Sequence, residues 1–107
     1  MCRNKTPSCV QLPDISARRP LFSLGQVVAT RGVFQHLTAC GVDPIDYLAR
    51  HQCGDWGDVP PEDARENDFS VSNGLRVLSS YDIVGKRVWC ITEWDRSVTT
   101  LLFPEDY

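Results

Sequence analysis

Residues Leu75 to Tyr107 read LRVLSSYDIV-GKR-VWCITEWDRS-VTTLLFPEDY, and this stretch decides the fold. Three runs rich in β-branched and aromatic residues are parted by two short polar breaks, the pattern of a three-stranded antiparallel meander. Side chains alternate between faces in an extended run. Leu75, Val77, Ser79, Tyr81 and Ile83 therefore share one face, with Arg76, Leu78, Ser80 and Asp82 on the other. Gly85-Lys86-Arg87 supplies the first hairpin break and Asp95-Arg96-Ser97 the second. Between them Trp89 and Ile91 alternate with Val88, Cys90 and Thr92, apolar on both faces as a central strand would be. The last strand runs from Val98 to Phe103, where Pro104, with no N–H to give a ladder, ends it.

Upstream of the meander the period changes. Phe22 to Ala29 (FSLGQVVA) predicts a strand. Thr30 then caps a helix whose Val33, Phe34, Leu37 and Cys40 fall at helical spacing, with Gly41 beyond its end. Asp43-Pro44 predicts a second helix start, with Ile45, Leu48 and Ala49 as its apolar face. Pro60-Pro61-Glu62-Asp63 opens a third, acidic helix running to about Phe69, and Ser72-Asn73-Gly74 turns the chain into the meander. The expected order is β-α-α-α-β-β-β, an α+β domain over residues 21–107 with one mainly antiparallel sheet and its helices on one face. Residues 1–20 hold Pro7, Pro13 and Pro20 without hydrophobic period, and are expected to form a disordered or loosely attached tail.

Composition excludes several classes. A chain of 107 residues can bury one core without staples. No apolar run approaches the roughly 20 residues of a membrane span, and no apolar signal segment opens the sequence, so a cytoplasmic protein is expected. The five cysteines (2, 9, 40, 53 and 90) contain no C-x-x-C pair, and there are two histidines, His36 and His51. Tetrahedral metal sites need clustered ligands, so neither a metal nor another cofactor is expected. Cys40 and Cys90 read as small core hydrophobes.

Charge is distributed unevenly. Residues 1–20 carry Arg3, Lys5, Arg18 and Arg19 against Asp14. Residues 43–68 carry Asp43, Asp46, Asp55, Asp58, Glu62, Asp63, Glu66 and Asp68 against Arg50 and Arg65. A segment so acidic repels phosphate and suits a basic protein partner, so direct nucleic-acid binding is not expected. Asp55, Asp58, Glu62, Asp63 and Glu66 are the candidate partner-binding residues. Taken singly, each of these acids reads first as a residue of a solvated helix face.

Two constellations could carry chemistry. His51-Gln52-Cys53-Gly54-Asp55-Trp56-Gly57-Asp58 puts a histidine at a helix end near carboxylates, where it could work as a general base. The structural alternative is that Trp56 plugs the core between glycines while Asp55 caps a turn. On the last hairpin Glu93, Asp95, Arg96, Ser97, Thr99 and Thr100 gather. With His51 from a packed helix, Arg96 and Thr99 would make a metal-independent ribonuclease site, the arginine stabilising phosphorane charge. The alternative there is a surface pair of Arg96 with Glu93 or Asp95.

The motifs LFSLGQVVAT, LARHQCGDWGDV, PPEDARENDF and WCITEWDRSVTTLLFPEDY resemble those of a group of small bacterial proteins carried by plasmids, integrated elements and prophages. The resemblance spans residues 21–107 and leaves 1–20 outside. The group has no settled activity of its own; together with the acidic segment, the resemblance leads to the expectation of a small interaction protein that inhibits or modulates a host nucleic-acid-handling or defence system of the restriction or CRISPR kind. More weakly, a histidine-bearing helix before a meander is similar to the barnase and colicin-type ribonuclease fold, which would assign His51, Arg96 and Thr99 (or Thr100) to catalysis. The acidic segment departs from that pattern, because such enzymes bring positive charge to RNA. An exposed edge strand would favour a homodimer.

Overall fold

The computed structural model describes residues 19–107. The expected tail therefore lies outside the described residues apart from Arg19 and Pro20. Strand β1 (Gln26–Ala29) is followed by helices α1 (Arg31–Cys40), α2 (Ile45–Gln52) and α3 (Pro61–Asn73). Strands β2 (Val77–Ile83), β3 (Lys86–Thr92) and β4 (Val98–Leu102) follow, and the short 3-10 turn Pro104–Asp106 comes last. The architecture is α+β, with one four-stranded mixed sheet in the order β1-β4-β3-β2.

The meander forms at the register its alternation demands. Ser79 lies opposite Cys90, Cys90 opposite Leu101 and Thr92 opposite Thr99. Val77, Ser79, Tyr81 and Ile83 are all buried, so these four form the inner face as alternation reads it, whereas Leu75 lies before the strand and is exposed. The first turn sits at Val84 and Gly85, both at positive φ, one residue earlier than the sequence break suggests. Lys86 and Arg87 thus begin β3 instead of making the loop. Two consecutive positive-φ residues give the tight loop whose twist matches that of the strands it joins.

The sheet departs from the expected antiparallel one at β1, which runs parallel to β4. Alternation in a four-residue strand carries no information on direction. The open edge of the meander is β4, and β1 completes it. The strand is also shorter than FSLGQVVA predicts. At Gly25 φ is +65°, and a Cβ there would lie 2.4 Å from the carbonyl oxygen of Arg96, so the chain crosses the β3–β4 turn with no room for a side chain. Residues 21 and 22 are strapped instead to α2, where Leu21 N–H donates to the Gln52 carbonyl and Gln52 Nε2 donates to the Phe22 carbonyl.

Helix α1 starts on Thr30, whose Oγ1 accepts from Val33 N–H, and ends at Gly41 in the left-handed region. In α2 the expected Asp43 accepts from Ile45 N–H at 3.0 Å, one residue ahead of the Pro44 cap. Val33 and Leu37 of α1 and Leu48 of α2 pack on Tyr81, Ile83, Val88, Cys90 and Leu101 to form the core. Cys90 behaves as expected, fully buried, whereas Cys40 is exposed because the α1 surface turns it to solvent.

Helix α3 runs to Asn73, a turn beyond the expected end at Phe69. Nor does it lie on the inner face with the others. It flanks the outer edge of β2, where Asn67 Nδ2 donates to the Leu78 carbonyl and Asn67 Oδ1 accepts from Leu78 N–H. Two residues on, Ser80 N–H donates to the Trp56 carbonyl and the Ser80 carbonyl accepts from Asp58 N–H. The β2 edge is thereby closed by a side-chain amide and a loop, one established way of protecting an edge strand.

Trp56 is the plug of that loop. It is 6% exposed, its ring stacks 6.3 Å from Phe22 and meets His51 edge-on at 5.9 Å, and its Nε1 donates to Asp68 Oδ1. Gly54 and Gly57 on either side both have positive φ. At Gly57 a Cβ would stand 2.1 Å from the Ser80 carbonyl oxygen and strike the Tyr81 ring. Two outcomes follow for chemical denaturation. Trp56→Ala should lose about 3–5 kcal/mol, the usual range for a buried large aromatic. Gly57→Ala should be markedly more destabilising than Gly41→Ala, since Gly41 also has positive φ but open space around it.

Candidate functional site

The structure brings two of the sequence-selected residues, His51 and Thr99, into one hydrogen-bonded chain. His51 projects from the last turn of α2 under the sheet and is fully buried. Its Nδ1 lies 2.6 Å from Ser79 Oγ and its Nε2 2.9 Å from Thr92 Oγ1. Thr92 Oγ1 is 2.7 Å from Thr99 Oγ1, and Thr99 Oγ1 is 2.7 Å from the Leu24 carbonyl. The proton positions follow from the far end. A carbonyl only accepts, so the single Thr99 hydrogen goes to Leu24, and Thr92 must donate to Thr99. With the Thr92 hydrogen spent, His51 Nε2 must be the donor to Thr92. Nδ1 is then bare and accepts from the Ser79 hydroxyl. A neutral imidazole in the Nε2–H form satisfies every partner.

A cationic imidazole fits poorly. It would be buried among hydroxyls and aromatic rings with no carboxylate against it among the described residues, and charge in such a place is costly. Burial, and secondarily the positive charge of Arg96, push the His51 pKa down to about 4.

Among the described residues, Arg96 makes its hydrogen bonds to backbone carbonyls rather than to the imidazole chain. It sits in the β3–β4 turn at φ +60°, and its Nη1 donates to the Leu75 and Glu93 carbonyls. Its Nη2 donates to the Ser70 carbonyl at 3.0 Å. Ser70 lies in the last turn of α3, which has no basic residue of its own, so Arg96 brings positive charge to the negative end of that helix. The guanidinium also covers the Phe22 ring, 5.3 Å from its centroid, and Phe22 in turn meets His51 edge-on. Arg96 therefore makes neither of the surface ion pairs that its neighbours in sequence suggest. His51, with both ring nitrogens engaged and no exposed surface, makes no contact with solvent.

The candidate partner-binding acids divide into two kinds. Asp55 is held in the fold by Arg50 Nε at 2.7 Å and by Gly57 N–H, and the exposed Asp58 meets Arg87 at 2.9 Å. Glu62, Asp63 and Glu66 stand exposed on α3 at spacings of three and four, one stripe of the helix. Among the described residues none of these three enters an ion pair. Asp63 and Glu66 border a cleft of about 270 Å³ with Asn67, Ser70, Arg76 and Leu78, between α3 and β2. Phe69, three residues past Glu66, is 58% exposed at the end of the stripe.

Residues missed by sequence reasoning are Ser79, Thr92, Asn67 and Arg76. Ser79 and Thr92 did leave a signal, since they are hydroxyls on strand faces otherwise apolar. Asn67 left none. Among the described residues, no helix is long and apolar enough to cross a membrane, and no three His, Cys, Asp or Glu side chains gather to hold a metal ion. No protein-family model, curated protein or solved structure matches the chain.

The state of His51 has a measurable consequence. Its folded pKa lies below the ordinary value of 6.5, so the unfolded chain binds a proton that the folded one refuses. The stability it preserves is complete above pH 6.5 and is lost as pH falls through that value toward about 4, up to about 3 kcal/mol for a shift of this size. Urea titrations from pH 7.5 to 4.5 should therefore show a steeper acid loss for the wild type than for His51→Gln. Equal slopes would mean that His51 is protonated in the folded protein.

Proposed function

We propose that this chain is a small binding protein that presents the acidic stripe of α3 to a basic surface of a partner protein. The observation that carries the reading is the row Glu62, Asp63 and Glu66, exposed and outside the ion pairs that engage Asp55 and Asp58. Neighbouring like charges repel, and a helix face that keeps them unpaired gains when a cationic surface arrives. The partner is a nucleic-acid-handling or defence protein of a bacterial host, whose phosphate-binding surface is basic by necessity. The chain itself belongs, in this reading, to a mobile genetic element, which the sequence resemblance supports.

Metal-independent RNA cleavage by His51, Arg96 and Thr99 is less well supported. A general base must come within hydrogen-bond reach of the substrate. In this structure His51 engages both nitrogens with Ser79 and Thr92, and Arg96 gives three N–H donors to backbone carbonyls.

The deciding experiment captures partners from host lysate with the wild type and with a Glu62→Gln, Asp63→Asn, Glu66→Gln triple variant. Affinity for the captured partner should fall steeply with added salt and at least about tenfold in the variant, the factor that corresponds to about 1.4 kcal/mol. Capture that survives neutralisation of α3 would defeat the proposal. In parallel, cleavage of RNA by the purified protein without metal, lost in a folded Arg96→Ala variant, would establish the ribonuclease reading in its place.

A further inference from the structure

The two edges of the sheet are treated differently. At β2 the outward peptide groups are taken up by Asn67, Trp56 and Asp58. At β1 they are not. Gln26 N–H donates to the Ser97 carbonyl and Thr30 N–H to the Leu101 carbonyl, which places the even-numbered peptide groups of β1 toward β4. By the two-residue period of a strand, the N–H and C=O groups of Val27 and Ala29 point away from the sheet. All four β1 residues are exposed, Val27 at 41% and Val28 at 38%. The strand reads QVVA, with no charge, proline or bulge of the kind that guards an edge.

We infer that two copies of this chain pair through β1, antiparallel, about a twofold axis at Val28. The free groups are self-complementary in that register. Val27 opposite Ala29 of the second copy is a hydrogen-bonded pair, as is Ala29 opposite its Val27, giving four backbone bonds. Val28 then meets its own counterpart at the closely spaced non-hydrogen-bonded position between them. The same register sets Arg31 opposite Gly25 and Gln26 opposite Thr30, so no like charges face each other. The two sheets join into one of eight strands. An apolar groove of about 380 Å³ adjoins the edge, bordered by Val27, Ala29, Phe34, Val42 and Leu101. Phe34 on its rim is 63% exposed, so the second copy removes apolar surface from water as well as pairing the edge. An interface that matches the same patch to itself is the isologous contact of a twofold dimer.

The test uses the self-opposition of Val28. Light scattering on the full chain should give twice the chain mass at high concentration and dissociation on dilution. Val28→Lys and Val28→Asp, each changing an exposed side chain, should each be monomeric with unchanged circular dichroism, because like charges then face across the axis. Mixed together they should regain the dimer mass. A monomeric wild type would overturn the inference and leave the groove to residues 1–18 or to a strand from another protein. A dimer that survives both substitutions, or a mixture that stays monomeric, would also overturn it.

Discussion

The hydrogen-bonded chain from Leu24 through Thr99, Thr92 and His51 to Ser79 is the constraint on which the structure turns. It ties the N-terminal segment, β4, β3, α2 and β2 to one another in a single run of buried polar contacts. Each link is directional, and each hydroxyl has one hydrogen to give, so the run tolerates one arrangement of protons. A hydrophobic core can be repacked with modest loss, whereas a buried polar chain with one member missing leaves its neighbours unsatisfied. The apolar cluster of Val33, Leu37, Leu48, Tyr81 and Leu101 supplies cohesion beside it, and the polar chain supplies register.

Around that chain lies a layer of aromatic rings. Phe22 and Trp56 both meet the imidazole edge-on, and Arg96 closes over Phe22 while bonding the carbonyls of Ser70, Leu75 and Glu93. The same arginine thus covers the Phe22 ring that packs on the histidine and bonds the end of α3. Its positive charge and the dry environment act in one direction, toward a neutral imidazole. The residues that look catalytic by type are, in this arrangement, the means by which helices and sheet are held together. The two surfaces proposed to meet other molecules are the acidic stripe of α3 and the β1 edge.

Those two surfaces differ in chemistry and in position. The α3 stripe is acidic and beside the closed edge of the sheet, with Asn67 and the loop of Trp56 between it and the strands. The β1 edge is uncharged and lies at the far side, three strands away. In the proposed reading, a charged surface would govern how fast and how selectively a basic partner is met, while an apolar edge would depend on desolvation and backbone pairing, so the two would respond differently to salt.

Much of this was legible in the sequence because it is local. Alternation in LRVLSSYDI assigned the inner face of β2, Thr30 and Gly41 bounded α1, and the glycines around Trp56 marked a corner with a buried ring. Acidity at Glu62, Asp63 and Glu66 was likewise visible, since charge belongs to residue type. Tertiary structure alone decided the direction and edge position of β1, because a strand of four residues has the same period whichever way it runs. It alone placed α3 against the β2 edge, through one asparagine that periodicity treats as any polar residue. It also decided the role of His51, whose chemistry depends on Ser79, Thr92 and Thr99, brought to it from 28 residues away and more. A side chain's type states what it can do with a proton, and only its surroundings state whether it will.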